Sequence, residues 1–302
     1  MNRQFDFFVT GGTGFLGSSI IAELLRRDFK IACLVRQKLN LKRLDQFKGQ
    51  VEFLEMNSLD FEDFFSKNKI RIILHCATNY GRSENSPIET IEANLMLPLK
   101  ILFAAANNDV EAFINTDTIL DKRINYYSLS KSQFSDWLEN YASNMKCFNV
   151  ALEHFYGPGD DPSKFVTWVI RELLSNVDNL DLTFGEQKRD FIYIDDVVSA
   201  FIAIIENMHQ FATGFHRFEV GTNSLIEIRE LVKTIKIICN NKVTSLNFGR
   251  LPYREGEVME SCVDLSQLKN LGWTSRLDLN QGLENTISAY KKDLVFKASG
   301  NV

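Results

Sequence analysis

A tyrosine and a lysine four residues apart, Tyr127 and Lys131, are the pair of side chains in this sequence best suited to moving a proton. Of the eight tyrosines, only Tyr127 has a lysine at this spacing. In a helix the spacing places both side chains on one face, one turn apart. A phenol has an ordinary pKa of about 10, so it exchanges protons at neutral pH only where a cation stabilises the phenolate. The pair predicts a general acid or base with its activating cation; the alternative is a solvated pair on a helix surface.

A cluster of polar residues, Asn115 to Thr118, follows a short predicted strand and precedes this helix. A hydroxyl at the end of a strand is well placed to bind a substrate oxygen. The hydroxyl, the tyrosine and the lysine together predict an acid/base site at one end of a sheet.

A glycine-rich turn near the N-terminus is the second chemical signal. Residues 8–17 read Phe-Val-Thr-Gly-Gly-Thr-Gly-Phe-Leu-Gly, with a strand-like run before them and helical spacing of apolar residues after them. Gly11, Gly14 and Gly17 allow a tight turn and close packing, and the start of the helix offers free N–H groups to an anion. A glycine triplet alone is weak evidence, but the order of strand, turn and helix predicts a site for the pyrophosphate of a dinucleotide.

The residue after the second predicted strand indicates which dinucleotide binds. In sheets of this kind an acidic residue there binds the ribose 2′-hydroxyl of NAD, whereas an arginine accommodates the 2′-phosphate of NADP. Here Arg36 follows the strand, Lys38 and Arg43 lie close behind, and no Asp or Glu occurs from 29 to 44. We therefore predict NADP(H), held by Arg36; the alternative is that Arg36 is only a solvated surface residue.

Strand-like and helix-like segments alternate through the first half of the chain. Strand-like runs are predicted at 4–9, 31–35, 51–56, 70–76, 112–115 and 147–152, with helical patterns that include 88–107 and 125–142. This alternation predicts an α/β fold, a Rossmann-type doubly wound parallel sheet with a smaller C-terminal substrate-binding lobe. A turn-rich segment at 156–160 marks the predicted start of the smaller lobe. We predict a dinucleotide-binding domain over 1–155, to which 190–222 returns, and a lobe over most of 156–302.

Composition limits the class of protein. The chain has 302 residues, a net charge of −5 and no apolar run of membrane-spanning length, which argues against nucleic-acid and membrane partners. The first predicted strand begins so early that it leaves no room for a signal peptide. The five cysteines lack metal-type pairing, so we expect no metal site and interpret them as buried, reduced thiols of a cytoplasmic protein.

Five further segments have the order typical of a known family. They are Phe155-Tyr156-Gly157-Pro158-Gly159-Asp160, Arg189-Asp190-Phe191-Ile192-Tyr193-Ile194-Asp195-Asp196-Val197, Arg254-Glu255-Gly256-Glu257, Asp264-Leu265-Ser266-Gln267-Leu268 and Leu271-Gly272-Trp273. With the glycine turn and Tyr127/Lys131, they make the chain similar over nearly its whole length to the extended short-chain dehydrogenases/reductases, the nucleotide-sugar epimerases, dehydratases and reductases. The resemblance also implies a homodimer, paired through a four-helix interface of the helix that carries Tyr127 and the one that spans Asn94.

The resemblance implies a role for each matching residue. Thr116, with Thr118 as a weaker rival, takes the Ser/Thr position that binds the sugar oxygen. Tyr127 is the acid/base, and Lys131 binds the nicotinamide ribose and tunes Tyr127. Arg189 and Arg254 match arginines that bind the diphosphate of a nucleotide sugar; the alternative for both is salt bridging. The implied cofactor-binding set is Gly11, Thr13, Gly14, Phe15, Leu16, Gly17, Arg36, Asn57, Ala77, Tyr127 and Lys131.

Departures from the family pattern bear on the contacts and on the reaction. Asn57 stands where the family usually has an Asp that contacts adenine. Asp117 is followed by Thr118, whereas the 4,6-dehydratases carry an Asp-Glu pair there, which argues against dehydration. Arg36 favours a reductase that consumes NADPH over a 4-epimerase that keeps its NAD.

We therefore expect reduction of the C4 ketone of a nucleotide-linked 4-keto-6-deoxy or 3,6-dideoxy hexose. Residues 153–165 most resemble the reductases that make CDP-abequose or related deoxy sugars for bacterial surface polysaccharide, which favours CDP, then dTDP, over GDP. A 4-epimerase with tightly bound NAD and a non-catalytic NADP-binding scaffold are the alternatives.

Overall fold

The computed structural model describes residues 3–37, 41–81, 86–254 and 256–298; Lys38 and Glu255, named above, lie outside these ranges. Within them the strands are β1 Gln4–Thr10, β2 Ile31–Val35, β3 Val51–Glu55, β4 Lys69–His75, β5 Ala112–Thr118, β6 Lys146–Leu152, β7 His154–Tyr156, β8 Asn179–Leu182, β9 Lys188–Tyr193, β10 Gly214–Val220, β11 Leu225–Glu227 and β12 Ser245–Phe248. The α-helices are α1 Phe15–Arg26, α2 Phe61–Lys67, α3 Pro87–Ile91, α4 Leu97–Ala106, α5 Tyr126–Asn140, α6 Phe165–Leu174, α7 Ile194–Asn207, α8 Ile228–Cys239, α9 Ser266–Asn270 and α10 Leu279–Ala298.

A seven-stranded sheet in the order β10-β6-β5-β4-β1-β2-β3 forms the centre of the fold. Every neighbouring pair in it is parallel. Strands of such sheets are covered on both faces, and all five residues of β2 are accordingly buried. The predicted Rossmann-type α/β class is confirmed. Because parallel strands end at the same edge, the segments that follow β1, β2, β4 and β5 begin at one edge of the sheet.

Strand β5 is longer than its apolar pattern predicts. The predicted strand stops at Asn115, but pairing with β6 continues through Thr116 and Thr118, opposite Val150 and Leu152. The sequence did not show this extension because buried polar side chains, described below, take the place of apolar ones. The polar cluster is therefore the last part of the strand.

The predicted helix over 88–107 contains an irregularity. A π-helical turn, Glu92–Met96, joins α3 to α4. A π turn holds one residue more than a regular turn, and such turns are frequent at functional sites. This one contains Asn94, whose side chain is fully buried.

The chain divides into two compact units. The first consists of 1–152, 198–220 and 266–272, and the second of 153–197, 221–265 and 273–302. The second contains the three-stranded sheet β11-β9-β7 and the pair β12-β8. The sequence-based boundary after 155 lies three residues beyond the first segment, and the return to the first unit begins at Val198 where the sequence suggested 190.

The state of the cysteines tests the expectation that they are buried thiols, and the hydropathy of the helices tests the expectation of no membrane span. All five cysteines are free; Cys33, Cys147 and Cys239 are buried and Cys76 is half-buried. Cys262 is exposed, so the interpretation of the cysteines as buried thiols is wrong for this residue, which lies in a segment without regular structure. Among the described residues, no helix has the length and hydropathy needed to cross a membrane.

Candidate active site

The turn between β1 and α1 can be built only from glycine at its critical positions. Gly11 has a φ of +68°, and a Cβ there would lie 2.4 Å from the backbone nitrogen of Ala77. A Cβ on Gly17 would lie 2.3 Å from the carbonyl oxygen of Gly11. Helix α1 begins after Gly14, and neither a capping side chain nor an acidic residue competes for its first N–H groups. The turn thus fits an anionic group such as a pyrophosphate.

Three other residues predicted to bind the cofactor follow strands β2, β3 and β4, at the edge of the sheet where the glycine turn follows β1. Arg36 is exposed and directly follows β2. Arg43 donates a hydrogen bond from Nη1 to the carbonyl oxygen of Thr13, at 3.3 Å. Asn57 is exposed in a 3-10 turn, Met56–Ser58, that follows β3. Ala77 is half-buried after β4, and its N–H donates to Thr10 Oγ1 at 3.3 Å.

Helix α5 carries Tyr127 and Lys131 and begins in a defined way. Asn125 caps it, accepting from the backbone N–H of Ser128, while the Ser128 hydroxyl accepts from the N–H of Asn125. Lys131, Phe134 and Leu138 are buried at helical spacing, so the face of α5 that packs inward carries Lys131 with it. Tyr127, one turn earlier, is half-buried.

The Lys131 ammonium group lies against the end of β5. Its Nζ donates to the carbonyl oxygen of Thr116 at 2.6 Å, and the residue is only 2% exposed. Burial lowers the pKa of this ammonium, and the charge of Asp117 and the thiol of Cys76 oppose that effect. The structure thus brings Lys131 and Thr116 into contact, one helical turn from Tyr127. A buried cation beside a phenol is the arrangement that eases loss of the phenol proton.

A buried hydrogen-bond network supports the end of β5 from the neighbouring strand. Asn149 on β6 donates to Asp117 Oδ2 at 2.6 Å and to Ser135 Oγ at 3.0 Å. Its amide oxygen accepts from Asn115 Nδ2 at 2.7 Å. Asp117 also accepts from the N–H of Thr118 at 2.8 Å. The buried Asp117 carboxylate is therefore held in place by hydrogen bonds from a side chain of β6 and from the backbone of β5.

Asn94 joins three parts of the site, and sequence reasoning missed it. Its amide oxygen accepts from the N–H of Asn79 at 2.7 Å, and its Nδ2 donates to the carbonyl oxygen of Asn79 at 2.8 Å. The same Nδ2 donates to Ser130 Oγ at 3.0 Å, which links the loop after β4 to α5. The available signal was a polar residue in the apolar helical pattern of 88–107.

Tyr80, in the same loop, lies against the predicted acid/base. Its ring centroid is 5.1 Å from that of Tyr127, with 41° between the ring planes. Nothing in the sequence pattern pointed to this contact.

His75, at the end of β4, is buried beneath the glycine turn. Its Nδ1 is 2.8 Å from Thr10 Oγ1. Burial, assisted by the charge of Lys131, lowers the pKa of His75 well below its ordinary value. Burial raises the pKa of the adjacent Cys76 thiol to about 12. Both groups are therefore neutral at physiological pH.

The two predicted substrate arginines belong to the second unit. Arg189 on β9 donates from Nη2 to Glu257 Oε1 at 2.5 Å and from Nη1 to the carbonyl oxygen of Lys188 at 2.7 Å. Arg254 is exposed, and its carbonyl oxygen accepts from the N–H of Glu257 at 3.1 Å. Glu257 thus contacts both arginine residues, through the Arg189 side chain and the Arg254 backbone.

Two acidic residues of the segment 189–197, on β9 and α7, accept hydrogen bonds within the second unit. Asp190 accepts hydrogen bonds from Thr222 and from the N–H of Asn223. Asp196 accepts from the backbone N–H groups of Arg276 and Leu277, each at 3.0 Å. Each carboxylate therefore holds a loop in place through hydrogen bonds from its backbone N–H groups.

Proteins of known function are similar to this chain over most of its length. The sequence profile of the NAD dependent epimerase/dehydratase family matches residues 7–221. CDP-abequose synthase of Salmonella muenchen is 32% identical over 289 residues, which cover 93% of this chain and 96% of that protein. Among solved structures, UDP-glucose 4-epimerase of Thermotoga maritima with UDP-glucose has a TM-score of 0.82 at 23% identity, covering 96% of this chain and 99% of that chain. UDP-glucuronic acid 4-epimerase of Bacillus cereus, in complex with UDP-glucuronic acid and NAD, has a TM-score of 0.83 at 19% identity, covering 95% and 99%.

A parallel sheet with a glycine turn after its first strand, and a Tyr-Lys helix after its fifth, defines a nucleotide-binding enzyme of the short-chain dehydrogenase/reductase type. The chain belongs to the NAD-dependent epimerase/dehydratase family, the extended branch of that class. The resemblance predicted from sequence is confirmed. The family consists of nucleotide-sugar oxidoreductases and epimerases.

Proposed function

We propose that this protein reduces the C4 ketone of a nucleotide-linked 4-keto-6-deoxy or 3,6-dideoxy hexose with NADPH. The observation that carries the proposal is the buried Lys131 ammonium, fixed on the Thr116 carbonyl one helical turn from Tyr127. The similarity to CDP-abequose synthase of Salmonella muenchen favours a CDP-linked sugar, with dTDP next.

The chain's own residues supply the proton chemistry. When bound, NADPH supplies the hydride that the ketone carbon accepts. Tyr127 donates its phenolic proton to the oxygen, which becomes the product hydroxyl, and Thr116 stabilises the same oxygen by a hydrogen bond. Lys131 stabilises the phenolate left on Tyr127, since an opposite charge nearby favours the ionised form of a phenol.

Arg36 is proposed to select NADPH. A guanidinium directly after β2 can hold a 2′-phosphate through two parallel hydrogen bonds, whereas a carboxylate there would repel it. Arg43 contacts Thr13 of the glycine turn, so a second guanidinium lies on the same segment of the chain beside the turn.

Arg189 and Arg254 are proposed to bind the substrate diphosphate. Arg189 now pairs with Glu257, with side chains only 11% and 19% exposed. In the proposed complex the diphosphate replaces the Glu257 carboxylate on Arg189, an exchange of one anion for another at the same donors.

A homodimer is proposed, formed through α4 and α5. Large apolar side chains are exposed on both helices: Phe103 on α4, and Leu129 and Trp137 on α5. Exposed apolar groups of this size on neighbouring helices are typical of a protein interface. A cytoplasmic location is proposed with it, because five unpaired thiols suit a reducing compartment.

The test is oxidation of NADPH, followed by its absorbance, with CDP-, dTDP- and GDP-linked 4-keto-6-deoxy sugars. We expect turnover with one of them and a loss of about 100-fold or more in kcat for Tyr127→Phe, because general acid catalysis typically contributes at least that factor. Tyr126→Phe is the matched control, since Tyr126 is the adjacent residue and 61% exposed.

Three results would reject the proposal or replace it. No turnover on any substrate with folded protein rejects the reductase. Interconversion of two sugars without net loss of NADPH, by enzyme that purifies with bound NAD, identifies a 4-epimerase. Full activity of Tyr127→Phe removes Tyr127 from the chemistry. A non-catalytic scaffold is disfavoured because the Tyr, the Lys and their supporting contacts are all present.

A further inference from the structure

We infer that Tyr80 is a positioning residue for the acid/base, holding the ring of Tyr127 in the orientation from which its hydroxyl faces the reacting oxygen. The inference rests on the proposed role of Tyr127. Its basis is the contact of the two rings, whose centroids are 5.1 Å apart with 41° between their planes. Aromatic rings at this separation attract each other beyond the burial of their surface.

Tyr127 needs support from outside its own helix. Helical side chains normally lean on the turn that precedes them. Helix α5 begins at Tyr126, so Tyr127 has no preceding helical turn. A side chain of a neighbouring element can therefore hold the ring, and Tyr80 of the loop after β4 is in contact with it.

The residues on both sides of Tyr80 are held in place. Asn94 binds both the N–H and the carbonyl oxygen of Asn79, at 2.7 and 2.8 Å. On the other side, the N–H of Gly81 donates to Asn79 Oδ1 at 2.9 Å, and Gly81 has a φ of +60°, which favours glycine. The backbone that carries Tyr80 is thus fixed on α3 and α4 through the π turn.

The same amide fixes the helix that carries Tyr127. Asn94 Nδ2 donates to Ser130 Oγ, and Ser130 Oγ donates to the carbonyl oxygen of Tyr127 at 2.9 Å. Two hydrogen bonds therefore connect Asn94 to the backbone of Tyr127, and two others connect it to the residue before Tyr80. One buried side chain therefore links the two backbone segments that carry the contacting rings.

Variants of Tyr80 test the role through the kinetic constants. We expect Tyr80→Ala to lower kcat about 3- to 10-fold, the loss of one aromatic pair, with KM for NADPH changed by less than about two-fold. Tyr80→Phe keeps the ring and should retain wild-type kcat. Tyr80→Leu fills the volume without an aromatic plane and should resemble Tyr80→Ala. Tyr126→Ala is the control for loss of an aromatic residue beside Tyr127.

A second readout does not depend on the substrate. In protein labelled with carbon-13 in its tyrosine rings, the resonance of Tyr127 is assigned as the one missing in Tyr127→Phe. We expect it to move in Tyr80→Ala and Tyr80→Leu, because the ring current of Tyr80 is lost, and to stay in place in Tyr80→Phe and Tyr126→Ala. Far-ultraviolet circular dichroism and the thermal midpoint show that each variant is folded.

The outcomes separate this inference from the proposed function. Wild-type kcat in Tyr80→Ala overturns the inference even if the Tyr127 resonance moves, because the ring contact would then not affect the reaction. A kcat in Tyr80→Phe as low as in Tyr80→Ala also overturns it, since the hydroxyl and not the ring would then matter. If the wild-type protein lacks reductase activity but the resonance moves as expected, the proposed function fails while the ring contact stands.

Discussion

Lys131 is held where a charged side chain is costly. It is almost completely buried, and the hydrogen bond that fixes it goes to a backbone carbonyl oxygen, not to a carboxylate. Burial lowers its pKa, which means that the folded protein favours the neutral amine more than water does. A protein has no structural reason to keep such a lysine when an apolar residue of similar volume would be less costly. Its position one helical turn from Tyr127 therefore argues for a role in catalysis.

Arg36 offers the sharpest test at the scale of a single residue. Arg36→Ala should weaken NADPH binding about 10- to 100-fold, because charge-assisted hydrogen bonds to the 2′-phosphate are lost. NADH lacks that phosphate, so its dissociation constant should not rise. Dissociation constants are read from the quenching of tryptophan fluorescence by each cofactor.

The control for Arg36 is another arginine on the same unit. Arg123→Ala removes an exposed guanidinium that pairs with Asp121, and it should change neither constant. Equal weakening of NADPH and NADH by Arg36→Ala would show that Arg36 does not select the phosphate.

Single residues were predictable from sequence where their contacts are local. Tyr127 and Lys131 share a helix, so their spacing alone placed them together. Asn94 contacts residues 15 positions before it and 36 positions after it, at Asn79 and Ser130. Contacts of that separation depend on how the helices pack on the sheet, and no pattern along the chain specifies them.

The glycine turn between β1 and α1 leads to a prediction about stability and cofactor binding. Gly11 and Gly49 both have positive φ, but a Cβ at Gly49 meets nothing within 4 Å. Gly49→Ala should therefore cost about 1–2 kcal/mol in unfolding free energy, the penalty of a left-handed conformation alone. Gly11→Ala should cost more, because its Cβ would collide with the backbone at Ala77, and it should also abolish NADPH binding.

Urea denaturation and cofactor titration of these two glycine variants separate the effects. Gly49→Ala should bind NADPH like the wild type. Equal stability of the two variants would show that the turn gives way at Ala77 without cost.

His75, which is buried where β4 pairs with β1, leads to a prediction about how stability depends on pH. His75 has a folded-state pKa well below 6.5, so below pH 6.5 the unfolded chain binds a proton that the folded protein does not. Stability therefore falls as the pH drops from 6.5 toward the lowered pKa. His75→Asn keeps a polar contact for Thr10 but cannot take up the proton, so it should reduce this slope by up to about 1.4 kcal/mol per pH unit.

Urea unfolding at several pH values, in the wild type and in His75→Asn, measures this slope. His209→Asn is the control, because that ring is exposed in the 3-10 turn after α7, where its Nδ1 donates to the carbonyl oxygen of Glu206. An unchanged slope in His75→Asn would mean that other groups cause the acid sensitivity.

Elements with a clear apolar pattern were predictable, and irregular ones were not. The run that became β2 consists of five consecutive apolar residues, which suits a strand covered on both faces. The end of β5 was missed because its buried residues are polar. The π turn was missed because one added residue shifts the spacing of apolar residues in a helix only slightly. In a segment with many apolar residues, a shift of this size is not visible in the sequence.

At the scale of the whole molecule, the proposed dimer makes the next prediction. Trp137 on α5 is 46% exposed, and Trp137→Glu places a charge in the proposed interface. We expect the wild type to elute at the mass of a dimer in size-exclusion chromatography with light scattering, and Trp137→Glu to elute as a monomer. Ile237 on α8 is 77% exposed, and Ile237→Glu is the control that should stay dimeric. A wild-type monomer would reject the proposal.

The route of the chain through the large sheet has a consequence for its synthesis. Strand β6 pairs with β5 on one side and with β10 on the other, and Lys146 faces Gly214 across that second pairing. While the chain emerges from the ribosome, β6 is therefore an edge strand until the residues of β10 appear. In the folded protein Phe148 is fully buried and its ring packs against Phe218 of β10, a contact that forms only after β10 has been made. An exposed apolar edge invites pairing with other chains, so a nascent chain that stalls between these strands is a substrate for chaperones and a source of aggregates.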